Sequence, residues 1–322
     1  MNGKYSSVFG SYISGLVATK RASGYTYESA EGYLHHFDRY CTLHTNSGVF
    51  SRDLVMGWAT SKDGEDPRSH RARISPVREL GKYMQSLGVS DAFVLTSGLH
   101  SKIDRYVPHF FTSEELVAFF RACDKLRPHA GMHARQLVLP VFFRLLYCCG
   151  LRTCEARRLR VENVDLRSGA IDIVGSKWHS SRRIPIPQDL LRLFRTYNAR
   201  VSEIYPGRIY FFPTTRSECY RCGGISIAFR AIWKDAGLTH GFGNRPRAYD
   251  FRHHFALSNL NRWIAAGVDV NSRLPYLSRY MGHSCLQSTD YYLHLVPEFF
   301  QIFSEKVKIT ETVIPEVNYE QE

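Results

Sequence analysis

No stretch of this 322-residue chain approaches eighteen consecutive apolar residues, so the sequence offers no membrane-spanning helix. The first residues, MNGKYSSVFGSYISG, lack a basic run followed by an apolar block. Nothing there reads as a secretion signal, and cytoplasmic residence is expected. No HExxH, P-loop or GxGxxG pattern is present, which removes the corresponding zinc-peptidase, nucleotide-cradling and dinucleotide-binding readings. The eight cysteines (Cys41, Cys123, Cys148, Cys149, Cys154, Cys219, Cys222 and Cys285) have no oxidising context to make them a disulfide framework. The one CxxC, Cys219 to Cys222, lacks a second pair at zinc-site spacing, so it reads as a loop between elements, with no metal or cofactor expected. Internal repeats are absent as well.

Lysine is scarce where the positive charge is concentrated. The formal net charge is +12, and the surplus falls within residues 106–300, where Lys125, Lys177 and Lys234 are the only lysines among a large excess of arginines. The C-terminal stretch 301–322 is acidic instead. Arginine presents a planar fork of donors that matches the oxygens of a phosphate. A basic excess of this kind attracts polyanions, and nucleic acid is the usual one. A merely solubilising surface is the plain alternative.

Apolar residues recur at helical spacing over 7–20, 26–43 and 68–87, with Thr26 as N-cap of the second stretch, so residues 1–100 read as a small helical bundle. The third stretch joins an apolar stripe to Arg68, Arg71, Arg73 and Arg78, candidates for contact with DNA. LHSKIDRYVPHF, polar and proline-bearing, reads as a linker. TSEELVAFFRAC then opens a helix capped by Thr112 or Ser113, and HARQLVLPVFFRLLYCCG is a long apolar helix stopped by Gly150. AIDIV and RRIPI predict a β-hairpin with Lys177 near its tip and Arg182 just beyond, a further candidate DNA contact. Helical patterning resumes near 188–205, 224–237, 248–266, 273–281 and 285–295. The expected fold is mainly α with a small β-sheet.

Phosphoryl transfer without a metal cluster needs cations for the non-bridging oxygens, a general acid for the leaving oxygen, and a nucleophile. Arginine, lysine, histidine and tyrosine can fill those roles, but any one of them alone says little. Order and spacing say more. Arg152 follows the helix-ending Gly150, with Glu155 three residues on, and Lys177 comes next in the hairpin. Arg252 sits at a helix start in AYDFRHHFA, and His283 follows a glycine in YMGHSCLQSTDYYLHL, nine residues before Tyr292.

These segments resemble the motifs of the tyrosine recombinases, the phage integrase family. GLRTCEARRL resembles the first arginine box and VGSKWHSSRRIPIP the lysine hairpin; YDFRHHFA is similar to the second arginine box, and MGHSCLQSTDYYLHL to the Gly-His box with its tyrosine nine residues on. PHFFTSEELVAFFRA resembles the start of the catalytic domain, and the likeness covers roughly residues 108–296. It implies an N-terminal helical core-binding bundle (1–100), a linker (101–111), an α+β catalytic domain (112–300) and a tail (301–322) able to dock on a neighbouring subunit.

The resemblance also implies roles. Arg152 and Arg252 would fork onto the scissile phosphate, Lys177 would protonate the departing 5′ oxygen, and His283 would bind the phosphate or assist the tyrosine proton. Tyr292 would form a 3′-phosphotyrosine link, without metal or ATP. The partner implied is double-stranded DNA, held by a tetramer on paired sites, with accessory proteins in some systems. Tyr249 stands where the family usually has histidine, and offers a hydrogen bond rather than a base. His253 matches the histidine after the second arginine, in a structural role.

Alternatives remain at the sequence level. Lys177 could be a solvated turn residue and His283 a satisfied core histidine. Tyr291 rivals Tyr292, although neighbours on a helix point about 100° apart and only one can face the site. A tyrosine-class topoisomerase would use the same side chains, and a catalytically silent DNA-binding regulator only the basic surface.

Overall fold

The computed structural model describes residues 4–45, 47–96, 108–129, 131, 134–175, 181–216, 218–239, 245–283 and 289. The chain forms two compact units, Met1–Arg105 and Tyr106–Glu322.

The first unit is all helical in its described residues: α1 (Gly10–Ala22), α2 (Glu28–His44), α3 (Arg52–Ala59) and α4 (Pro67–Ser86). Their apolar stripes meet in one core that includes Phe9, Ile13, Leu34, Phe37, Val55, Ile74, Val77 and Leu80. Helix starts are set by short polar side chains. Ser51 accepts from Leu54 N–H at the head of α3, and Asp66 accepts from Arg68 and Ser69 N–H ahead of Pro67 at the head of α4. The expected cap of α2 shifts by one residue. Tyr27, with φ 55°, takes the position expected for Thr26 and makes no side-chain cap bond. Glu28 and Glu31 in the first turn supply the negative charge that the helix dipole favours.

The second unit is built around α6 (Arg135–Cys149), buried on nearly every side by Val138, Leu139, Val141, Phe142, Phe143, Leu145 and Leu146. A helix apolar all round must be wrapped by others. Here α5 (Ser113–Asp124), α8 (Gln188–Ile204) and α10 (Asp250–Ala265) pack on it. Thr112 caps α5 in a reciprocal box with Glu115. A short α7 (Thr153–Arg157) leads to a three-stranded antiparallel sheet in the order β1 (Val164–Asp165), β2 (Ala170–Ile173), β3 (Arg182–Pro185). The hairpin register pairs Ile171 with Ile184, both buried. α9 (Cys222–Asp235) packs against α5, and α11 (Val270–Met281) against α10. The helix expected over 285–295 lies outside the described residues except for Thr289, and the hairpin tip, 176–180, lies outside them as well.

Candidate active site

α6 ends on Gly150, which takes the left-handed conformation at φ 58° and reverses the chain. Arg152 then precedes α7. The Glu155 side chain reaches back to the Arg152 backbone N–H at 2.9 Å and to its Nη1 at 2.8 Å. Across the site, α11 ends on Gly282, also left-handed at φ 67°. The last carbonyls of a helix have no partner within it and carry its negative dipole end. Three guanidinium groups from three separate segments supply those partners. Arg182 Nε donates to the Tyr280 carbonyl at 2.7 Å, Arg252 Nη2 to Met281 at 2.6 Å, and Arg152 Nη2 to Gly282 at 2.6 Å. Arg252 also donates through Nη1 to the Gly150 carbonyl at 2.8 Å, so it ties the end of α6 to the end of α11.

His283 is the next residue after these carbonyls. Its Nδ1 lies 2.7 Å from the hydroxyl of Thr289, which is fully buried. Burial, followed by the charges of Arg252, Arg152 and Arg182, lowers the His283 pKa to about 3, so the ring is neutral at ordinary pH. Burial alone would raise the Glu155 carboxyl. The Arg182 fork and the Arg152 donors outweigh that and hold it below its usual value. Two cations, Arg152 and Arg182, flank the one carboxylate, and Arg252 adds a third at the same helix end, so the cluster keeps a net positive charge suited to an anionic, phosphate-like group.

Other side chains flank Arg252 in sequence, at the head of α10. Tyr249 immediately precedes α10 with 38% of its surface exposed, its ring edge-on to His253 at 5.2 Å. The His253 pKa is lowered to about 4, chiefly by burial. His254 turns elsewhere, toward Tyr147 and Phe111. Asp250, wholly buried, accepts from Arg247 N–H at 2.8 Å and from its Nη2 at 3.0 Å.

Of the residues singled out from sequence, Arg152, Arg252 and His283 come together at one place, with Tyr249 at the head of the helix that carries Arg252. Lys177, Tyr291 and Tyr292 lie outside the described residues. The five arginines expected on DNA divide. Arg68 and Arg71 are exposed on α4, and Arg78 is half-buried, donating to the Leu95 and Thr96 carbonyls at 2.9 and 2.8 Å.

Two of the five depart from that expectation. Arg73 is buried, its fork on both oxygens of Glu65 at 2.7 Å, with further donation to the Trp58 and Thr60 carbonyls. Arg182 grips Glu155 through both arms, at 3.0 and 2.9 Å. In both, the fork is engaged with a carboxylate of the same chain. The sequence held one signal for Arg182: on β3 it shares a face with Ile184, two residues on, and that face is the buried one. Nothing in the sequence marked Thr289. Among the described residues no cluster of His, Cys, Asp and Glu could hold a metal ion, and no helix is long and apolar enough to cross a membrane.

Comparison with known proteins identifies the family. The model of the phage integrase family matches residues 109–298. A Sinorhizobium fredii protein named as an integrase/recombinase, y4rB, is 25% identical over 304 residues, 92% of this chain and 95% of its own length. The tyrosine recombinase XerA of Pyrococcus furiosus is 26% identical over 257 residues, covering 76% and 79% of the two chains. Among solved structures, the Tn1549 transposon integrase in complex with circular intermediate DNA superposes with a TM-score of 0.64 at 16% identity, covering 92% of this chain and 99% of that one. A lambda integrase tetramer bound to a Holliday junction gives 0.58 at 15% identity, covering 88% and 76%. At such identities the structures speak for the fold.

Proposed function

Because this chain belongs to the phage integrase family, we propose that it is a site-specific recombinase that cuts and rejoins double-stranded DNA through a 3′-phosphotyrosine intermediate. The observation that carries this reading is the convergence of Arg152, Arg252 and His283 at the end of α11, a cationic cluster suited to the charge of a pentacoordinate phosphate. Arg152 and Arg252 carry permanent charge on planar guanidinium groups that match the oxygens of a phosphate. Both neutralise charge on the non-bridging oxygens. Neutral His283 binds one of those oxygens or takes the tyrosine proton. Tyr249 donates its single O–H to the phosphate.

In the first step the Tyr292 oxygen attacks phosphorus and gives up its proton, and the bond from phosphorus to the 5′ oxygen breaks. Lys177 protonates that oxygen, leaving a free 5′ hydroxyl. In the second step a 5′ hydroxyl from another strand attacks, and the phosphorus–tyrosine bond breaks. One phosphodiester is exchanged for another through a phosphotyrosine diester, so no ATP is consumed. A phenol has a pKa of about 10, and cations brought near it make its proton easier to lose. The protein acts in the cytoplasm, as a tetramer on paired DNA sites; the lambda integrase neighbour is a tetramer bound to a Holliday junction.

A nicked suicide substrate tests the reading, because loss of the short 5′ fragment traps the covalent adduct. Wild-type protein and Tyr291→Phe should trap DNA, in excess EDTA as well as without it. Tyr292→Phe should bind DNA and trap none. Adduct formation by Tyr292→Phe, or a strict Mg²⁺ requirement for cleavage, would overturn the assignment.

A further inference from the structure

The three guanidinium groups at the end of α11 do not come from equivalent sequence positions. Arg152 and Arg252 sit in the two arginine motifs, whereas Arg182 sits in neither and follows the hairpin on β3. Its side chain is 9% exposed, and its donors are engaged on two sides. Nη1 and Nη2 meet the two oxygens of Glu155, and Nε meets the Tyr280 carbonyl. Glu155 is the carboxylate that holds Arg152 by its backbone N–H and by Nη1. Tyr280 lies two residues before Gly282, whose carbonyl takes the other arm of Arg152, and three before His283. Arg182 therefore grips one support of Arg152, Glu155, and the same helix end that carries the other. Gly282 packs directly on it: a Cβ there would stand 2.6 Å from Arg182 Nη1.

We propose that Arg182 is a positioning residue for strand cleavage: through Glu155 and the end of α11 it fixes where Arg152 and His283 stand, and it makes no contact with DNA. The inference rests on the recombinase reading above. Each oxygen of Glu155 is shared between one donor of Arg152 and one of Arg182. Without Arg182, the nearly inaccessible carboxylate keeps Arg152 as its one cation among these contacts. It then pulls that guanidinium toward itself, in competition with the scissile phosphate. The Tyr280 carbonyl loses its anchor in the same event, and the turn that carries His283 loses a restraint. Misplacement of a reacting group by about 1 Å costs on the order of 100-fold in rate.

The test measures DNA affinity with its salt dependence, melting temperature, and single-turnover adduct formation at saturating nicked DNA. The proteins are wild type, Arg182→Met, Arg182→Lys, Glu155→Gln and the Arg182→Met/Glu155→Gln pair. Arg182→Met should bind DNA within about two-fold of wild type with an unchanged salt slope, and form adduct roughly 100-fold more slowly. Arg182→Lys, which restores the charge but not the fork, should recover part of that loss. The pair should be little slower than the slower single variant, because the two residues act as one unit.

Three results overturn the proposal: wild-type cleavage by Arg182→Met, a salt slope reduced by about one together with weaker binding, as loss of a phosphate contact produces, or rate losses that simply multiply in the pair. If Arg182→Met melts below the assay temperature, Arg182→Lys carries the same split between binding and cleavage. A wild-type protein that traps no DNA overturns the recombinase reading itself, which is a different result from a variant that cleaves normally.

Discussion

At the scale of single residues, a histidine is held neutral among arginines. Burial and three nearby positive charges lower the His283 pKa to about 3. Between that value and the ordinary pKa near 6.5, the unfolded chain binds a proton at this ring and the folded chain does not, so this group's contribution to stability falls as pH falls through that window. Cleavage by the folded enzyme should then show no inflection near pH 6.5. A single-turnover pH–rate profile from pH 5 to 8 checks this, and a limb near 6.5 that vanishes in His283→Asn would contradict it. Tyr249 poses a different question, because a neutral phenol can donate to phosphate but is a poor base near pH 7. Tyr249→Phe should slow cleavage by roughly 10- to 1,000-fold, the scale of one lost donor to developing charge. Tyr249→His should keep substantial activity, since imidazole restores a donor. Arg252→Ala should be far worse, because it also strands the Gly150 and Met281 carbonyls, at a cost of roughly 1–3 kcal/mol for each buried acceptor left unpaired. Equal cleavage by Tyr249→Phe and wild type would reduce Tyr249 to a packing residue.

At the scale of elements, two helix ends do the assembling. Gly150 and Gly282 both hold positive φ, and both sit where a side chain would strike a neighbour: Phe255 at 2.4 Å from a Cβ on Gly150, and Arg182 at 2.6 Å from one on Gly282. Gly282→Ala combines a left-handed backbone cost of about 1–2 kcal/mol with displacement of a guanidinium. It should lower the melting temperature and slow cleavage together. Thr112→Ala removes the cap of α5, at the opposite end of the domain's helix order, and should cost about 1 kcal/mol of stability while leaving the cleavage rate unchanged. Melting curves and trapping rates on the two variants separate damage to the fold from damage to the site. A Gly282→Ala protein that melts lower but cleaves at the wild-type rate would show that the end of α11 is not part of the catalytic arrangement.

At the scale of the whole molecule, the charge distribution and the tail bear on assembly. The basic surplus lies in residues 106–300, whereas 301–322 is acidic and is preceded by Phe299 and Phe300. A segment that pairs aromatic side chains with acids is suited to a basic, partly apolar surface on a neighbouring subunit. Truncation after Val296 should leave adduct formation on a single site intact and reduce the joining of two sites severalfold or more, as read by native gels of paired-site complexes. A truncated chain that synapses two sites at full efficiency would place the tail's function elsewhere.

Much of this was written locally. The stop of α6 at Gly150, the capping of α5, the hairpin of Ala170–Ile173 with Arg182–Pro185 and the start of α10 just before Arg252 all follow from caps, glycines and residue periodicity, which act over a few residues. The short α3 and the two-residue β1 escaped that reading because elements so brief carry too little periodicity to register. Which arginines turn inward could not be read this way. Arg73 depends on Glu65 and on carbonyls 13 and 15 residues away, Arg182 on Glu155, 27 residues away, and Arg152 on a carbonyl 130 residues along the chain. The sequence by itself determined the helices, the hairpin and the order of the reactive side chains, because those depend on local conformational preference and on chemistry carried by individual residues. Only the tertiary structure decided that the unpaired carbonyls at the end of α11 would collect Arg152, Arg182 and Arg252, because a helix end with no partners of its own takes them from whichever segments the packing brings within reach.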